Sequence, residues 1–133
     1  MWLDRIFECA LRSKGEGVSL EPNELAHAIV NAAADKKAAD ILMLDLRPVA
    51  LIADYFVLCD GQSHRQLRAI ADGIVESLKE SGQRPLRVEG TPESGWMLVD
   101  YGAVIAHIFS PQLRAYYALE ALWKDAPMVM RMR

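Results

Sequence analysis

Apolar positions recur along this chain in two periods. Leu25, Ala28, Ile29, Ala32 and Ala33 fall on one helical stripe, and Leu67, Ile70, Ala71, Ile74 and Leu78 on another. The first helix is predicted to start between Ser19 and Pro22. Ser19 would cap it, Pro22 suits its first turn, and Glu21 and Glu24 suit its positive end. It runs out at Asp35-Lys36-Lys37. The second helix opens on a capping box: the Ser63 hydroxyl serves the Gln66 amide and the Gln66 side chain reaches back. It stops at Ser81-Gly82, where glycine suits the left-handed position past a helix end. Between the helices, residues 41–46 and 55–59 are continuous apolar runs. Both are predicted as central strands covered on two faces.

The second half carries the other strands. Arg87-Val88-Glu89 reads as a short strand and Gly90 to Gly95 as a loop. Residues 96–100 and 104–109 read as two strands of a hairpin turning at Tyr101-Gly102. Ser110-Pro111 opens a last helix through Leu113, Tyr116, Leu119, Leu122 and Trp123. The order predicts an α/β domain of two or three layers, with a mixed sheet of about five strands flanked by helices. The domain spans 19–125. Residues 1–18, with Leu3, Ile6, Phe7, Ala10 and Leu11 at helical spacing, are set apart as an N-terminal extension. Residues 126–133 have no clear period and are set apart as a C-terminal tail.

Composition narrows the function classes. A chain of 133 residues fits one domain, and its 52% hydrophobic fraction excludes disorder for most of it. Fifteen Lys and Arg against 18 Asp and Glu give a net charge of -3, which argues against a broadly basic nucleic-acid surface. No apolar run approaches the ~20 residues of a spanning helix. The acid at Asp4 is unlike a signal peptide, so a cytoplasmic location is expected. Cys9 and Cys59 form neither a disulfide framework nor a metal set.

Candidate chemistry is sparse. Gly61-Gln62-Ser63 between a strand and a helix has the form of a phosphate loop. Nucleotidyl transfer would also need two or three carboxylates beside it to hold metal ions, and the next strand offers only Glu89. Asp45 and Asp100 each end an apolar strand and stand as remote catalytic candidates with Glu89. His27, His64 and His107 have no metal-ligand spacing. No catalytic, cofactor or metal set emerges. The densest unusual feature is the C-terminal third. Trp96, Tyr101, Phe109, Tyr116, Tyr117 and Trp123 are interleaved there with Asp100, His107, Arg114 and Glu120. Aromatic residues and arginine are favoured at the centres of protein interfaces. Strand alternation puts Trp96, Leu98 and Asp100 on one face, and Ile105, His107 and Phe109 on one face.

An ordered set of segments then becomes recognisable. It comprises Asp40 to Arg47, Ala53 to Leu58, Ser63 to Gln66, Glu89-Gly90, Gly95 to Gly102, His107-Ile108-Phe109 and Arg114 to Trp123. Together they resemble the ribosomal silencing factor family (RsfS, also called Iojap or YbeB), over about residues 22 to 125. The resemblance implies a shape like that of nucleotidyltransferases without their catalytic carboxylates. It implies binding to the large ribosomal subunit through its ribosomal protein uL-fourteen. Such binding blocks joining of the small subunit and represses translation. It also implies little direct RNA contact, no membrane association and a homodimer when free. Trp96, Asp100, Tyr101, His107, Arg114, Tyr117 and Glu120 match the family's polar and aromatic signature and are the expected partner-binding residues.

Overall fold

The computed structural model describes residues 20–133. The N-terminal extension and the Ser19 cap lie outside the described residues. Helix α1 spans Pro22–Asp35 and is followed by strands β1 (Ala39–Asp45) and β2 (Tyr55–Asp60). Helix α2 (His64–Glu80) leads to β3 (Arg87–Thr91), a single 3-10 turn (Pro92–Ser94), β4 (Trp96–Asp100) and β5 (Val104–Phe109). Short helices α3 (Pro111–Tyr117) and α4 (Leu119–Leu122) precede β6 (Met128–Met132).

The six strands form one sheet in the order β3-β4-β5-β2-β1-β6. Only the β2–β5 pairing is parallel, because α2 carries the chain across the sheet between them; the other pairs are antiparallel. As expected of their apolar runs, β1 and β2 lie inside the sheet and are buried on both faces. One face packs under α1 and α2, with Ile29, Ile70, Ile74, Val57 and Ile108 at the centre of that core. Among the described residues, the other face, with Leu42, Phe56, Leu58, Leu98, Ile105 and Phe109, is roofed by α3, α4 and the flanking loops. No helix among the described residues is long and apolar enough to cross a membrane.

Several local expectations need correction. Glu21 caps α1: its backbone amide donates to Glu24 Oε1 at 3.0 Å, and its own side chain accepts from the Glu24 amide. Ser63 Oγ does accept from the Gln66 amide at 3.1 Å, but the Gln66 carbonyl reaches one residue further back, to the Gln62 amide at 2.7 Å. The Gln66 amide group is thereby free to donate to the Lys37 carbonyl at 2.9 Å, which ties the two long helices together. The C-terminal segment is not a loose tail. Met128–Met132 is the sixth strand, paired with β1 and clamped by Arg131, whose Nε and a terminal nitrogen each donate to an Asp40 carboxylate oxygen at 2.8 Å. That guanidinium holds the Asp40 carboxyl below the usual carboxylate range.

The last helix is also not continuous. Ala118 stands at φ 48 and ψ 52, left-handed, and divides it into α3 and α4. The break has a physical reason. It brings Glu120 Oε2 to 3.0 Å from Arg114 Nε, six residues back, a spacing that an unbroken helix does not juxtapose. Glycine carries no left-handed penalty, so Ala118→Gly is expected to stabilise the fold by about 0.5 kcal/mol, after the entropy glycine adds to the unfolded chain. A rise in the urea unfolding midpoint checks this, and a fall would place the strain elsewhere.

Candidate functional site

The short-helix face of the sheet gathers the aromatic residues. Register aligns Trp96 with Phe109 and Leu98 with His107 across the β4–β5 hairpin, so indole and imidazole lie on one face. The Trp96 ring lies 4.9 Å from that of Phe109 and 4.7 Å from that of Tyr117, which descends from α3. Tyr116 meets Tyr117 edge-on at 5.0 Å. Beside Trp96 and Tyr117 a recess of about 270 Å³ opens over Leu98, Leu113, Glu89 and Gly90. Tyr117, which lines it, is 46% exposed, and its neighbour Tyr116 76%; Leu122 on α4 is 67% exposed. These rings form a half-open aromatic shelf at the rim of the sheet.

His107 lies beneath that shelf, fully buried. Its ring meets Phe56 edge-on at 4.6 Å and stacks parallel to Phe109 at 6.0 Å. Trp96 Nε1 lies 3.2 Å from His107 Nδ1. An indole nitrogen only donates, so Nδ1 accepts and the neutral ring carries its proton on Nε2. Burial pushes the imidazole pKa down to about 3.

Arg114 fixes the roof. It is buried on α3, and one terminal nitrogen donates to the Asp60 carboxylate at 2.9 Å and to the Asp40 carbonyl at 2.6 Å. Its Nε donates to Glu120 at 3.0 Å. One guanidinium therefore joins α3, α4, β1 and β2. Burial opposes its charge, yet the Asp60 and Glu120 partners outweigh that and raise its pKa. Burial likewise raises the Asp60 carboxyl, against the pull of Arg114.

The structure sorts the seven signature residues by position. Trp96 and Tyr117 form the shelf, and Glu120 is partly exposed beside Arg114. Asp100, His107 and Arg114 are buried. Asp100 Oδ1 accepts from the Gly102 amide at 2.7 Å and shapes the hairpin turn, where Gly102 has φ 86. Tyr101 packs into the opposite core, under the long helices, where burial raises its phenol pKa. Asp40, Asp60 and Arg131, which brace the same region, were not singled out from the sequence. Their partners lie 91, 54 and 74 residues away along the chain for Arg131–Asp40, Arg114–Asp60 and Arg114–Asp40. No local spacing signals such pairs.

The catalytic candidates do not assemble. Asp45 is engaged by Arg47 through two side-chain hydrogen bonds of 2.9 and 2.7 Å, which hold its carboxyl low. Glu89 sits on β3, four strands away from β1, and pairs with Arg87 at 3.5 Å. Among the described residues no group of three His, Cys, Asp or Glu could hold a metal ion. The Cys59 thiol is buried and pushed up to about 12, so it is no poised thiolate.

Fold and site thus define a class: an α/β domain with no assembled catalytic set among the described residues, whose distinctive surface is a half-open aromatic shelf. Comparison with known proteins makes this particular. The family model described as "Ribosomal silencing factor during starvation" matches residues 19–132. The chain is 43% identical over 106 residues to the ribosomal silencing factor RsfS of Halalkalibacterium halodurans, covering 80% of this chain and 91% of that one. It is 47% identical over 94 residues to RsfS of Bacillus subtilis, covering 71% and 80%. A crystal structure of a Chromobacterium violaceum protein superposes with a TM-score of 0.76 at 34% identity, covering 79% of this chain and 88% of that one. The chain belongs to the ribosomal silencing factor (RsfS) family. It is accordingly a ribosome-associated regulator and not an enzyme.

Proposed function

We propose that this protein binds the large ribosomal subunit through ribosomal protein uL-fourteen, blocks association with the small subunit and so represses translation in the cytoplasm. The observation that carries the reading is the half-open shelf of Trp96 and Tyr117 beside an apolar recess, on a domain whose described residues offer no metal-binding group of His, Cys, Asp or Glu. A steric mechanism needs no chemistry. Two partners compete for one surface, and occupancy follows from affinity and concentration. In this reading Trp96, Tyr117, Tyr116 and Leu122 supply apolar contact, and Glu120 meets a basic group at the rim. Asp100, Tyr101, His107 and Arg114 act through the fold. Free chains pair as homodimers.

A net charge of -3 supports contact with a basic ribosomal protein over contact with phosphates. Binding should therefore weaken only gently with added salt. Trp96→Ala and Tyr117→Ala are each expected to weaken co-sedimentation with purified large subunits at least about tenfold, as loss of a central aromatic anchor does. Wild-type protein at saturation should lower the fraction of joined ribosomes. Joined levels that stay constant would refute the function. Intact binding by both variants would move the interface off the shelf.

A further inference from the structure

His107 is the only polar side chain in β5, a strand whose six residues are all buried. An apolar residue would serve that core as well. The imidazole instead lies in the row Glu89–Leu98–His107–Leu58 across the sheet, one register step from Trp96. It cannot touch a partner. It can touch the residue that does. We propose that His107 is a positioning residue for ribosome binding: it accepts the Trp96 indole N–H and fixes the indole in the one orientation that forms the shelf with Tyr117. This rests on the shelf being the docking surface.

Three features of the geometry favour this role. First, the acceptor is aimed: Nδ1 stands 3.2 Å from Trp96 Nε1, and a neutral ring protonated on Nε2 is the tautomer that fits. Second, the imidazole is itself locked, between Phe56 at 4.6 Å and Phe109 at 6.0 Å, so it offers a fixed point and not an adaptable one. Third, the ring contacts of Trp96 are non-directional next to a hydrogen bond. The planes of Trp96 and Phe109 are tilted by 31°, and those of Trp96 and Tyr117 by 46°; both are contacts made through the faces and edges of apolar carbon. The bond to Nδ1 adds a direction that selects the N–H edge of the indole. The preorganised indole then loses less freedom when a partner covers it.

Asparagine and phenylalanine separate positioning from packing. The Asn Oδ1 occupies the place of Nδ1, one bond from Cγ, and accepts without titrating. Phe fills the volume and offers no acceptor. In ¹⁵N-resolved NMR spectra the Trp96 indole N–H, assigned by its loss in Trp96→Phe, should shift upfield in His107→Phe and exchange faster. It should return towards the wild-type position in His107→Asn. Large-subunit affinity should fall about three- to tenfold in His107→Phe, the worth of one neutral hydrogen bond, and stay within about twofold in His107→Asn. If His107→Phe fails to fold, His107→Leu replaces it against the same Asn control.

An unmoved indole signal in the variant lacking an acceptor would overturn the proposal. So would wild-type affinity in His107→Phe alongside a clear loss in Trp96→Ala, or an equal loss in the Phe and Asn variants. If Trp96→Ala itself bound normally, the docking surface would be elsewhere and the role in binding would fall. The indole signal would still report, independently, whether His107 orients the ring.

Discussion

Replacing Arg114 with Met is expected to destabilise the protein by roughly 3–5 kcal/mol, the usual cost of stranding one side of a buried ion pair. The guanidinium side chain is 6% exposed and its Asp60 partner 15%, so solvent cannot substitute for what is removed. Four acceptor groups converge on it from three elements: the Asp60 and Asp40 carboxylates, the Asp40 carbonyl and Glu120. With Met there, Asp60 must either remain charged in a poor environment or take up a proton, and burial already biases it towards the proton. Adding Asp60→Asn to Arg114→Met should therefore restore at least ~1 kcal/mol, because the stranded charge is gone. Arg114→Lys should rescue only in part, since an ammonium is a point charge and cannot fork towards acceptors on separate elements. Urea unfolding followed by circular dichroism measures all three. A loss of under ~1 kcal/mol for Arg114→Met would mean that the cluster is solvated and that apolar packing holds α3 and α4.

That cluster also marks where the sequence stops being informative. Local periodicity carries α1, α2 and the two central strands because each is decided within its own segment. The stripe from Leu67 to Leu78 faces one core, and the run from Tyr55 to Cys59 is buried on both faces. The β4–β5 hairpin is legible for the same reason, as Tyr101-Gly102 fixes the turn and the turn fixes the register. Trp96 and His107 could therefore be put on strand faces from sequence, though not in contact. Beyond such segments, long-range geometry decides. Residues 110–123 keep a helical apolar rhythm, yet the helix breaks at Ala118, and the break lets Arg114 and Glu120 meet. Residues 128–132 have no rhythm because an edge strand with Met128 57% exposed has little buried pattern to display. Its place depends on Asp40, some 90 residues earlier in the chain. Aromatic density pointed to the shelf of Trp96 and Tyr117, but of the other signature residues Tyr101 lies in the opposite core and Asp100 at the hairpin turn. Chain position alone could not separate the partly exposed Trp96, Tyr117 and Glu120 from the buried Asp100, His107 and Arg114.

His107 gives the second large effect, a loss of stability in mild acid. Its ordinary pKa is 6.5, and burial lowers it to about 3 in the folded protein. Between those values the unfolded chain binds a proton that the fold excludes, so stability falls as pH falls, by ~1.4 kcal/mol per pH unit for one proton. Above pH 6.5 both states are neutral and the contribution is constant. At pH 4.5 the loss should reach roughly 2–3 kcal/mol relative to neutral pH. The Trp96 bond acts in the same direction, because a protonated imidazole turns Nδ1 into a donor facing an indole donor. Carboxylates add their own slopes. Asp40 and Asp45, held low by Arg131 and Arg47, lose stability as pH falls through their depressed pKa values, whereas Asp60, raised by burial, opposes them. The difference between wild type and His107→Phe cancels those shared terms. It should be flat above pH 7 and should turn against the wild type by about one proton's slope below pH 6. Urea midpoints at pH 7.5, 6, 5 and 4.5 measure it. Parallel curves for the two proteins would mean that the imidazole can charge inside the fold, and the neutral acceptor under Trp96 would have to be given up.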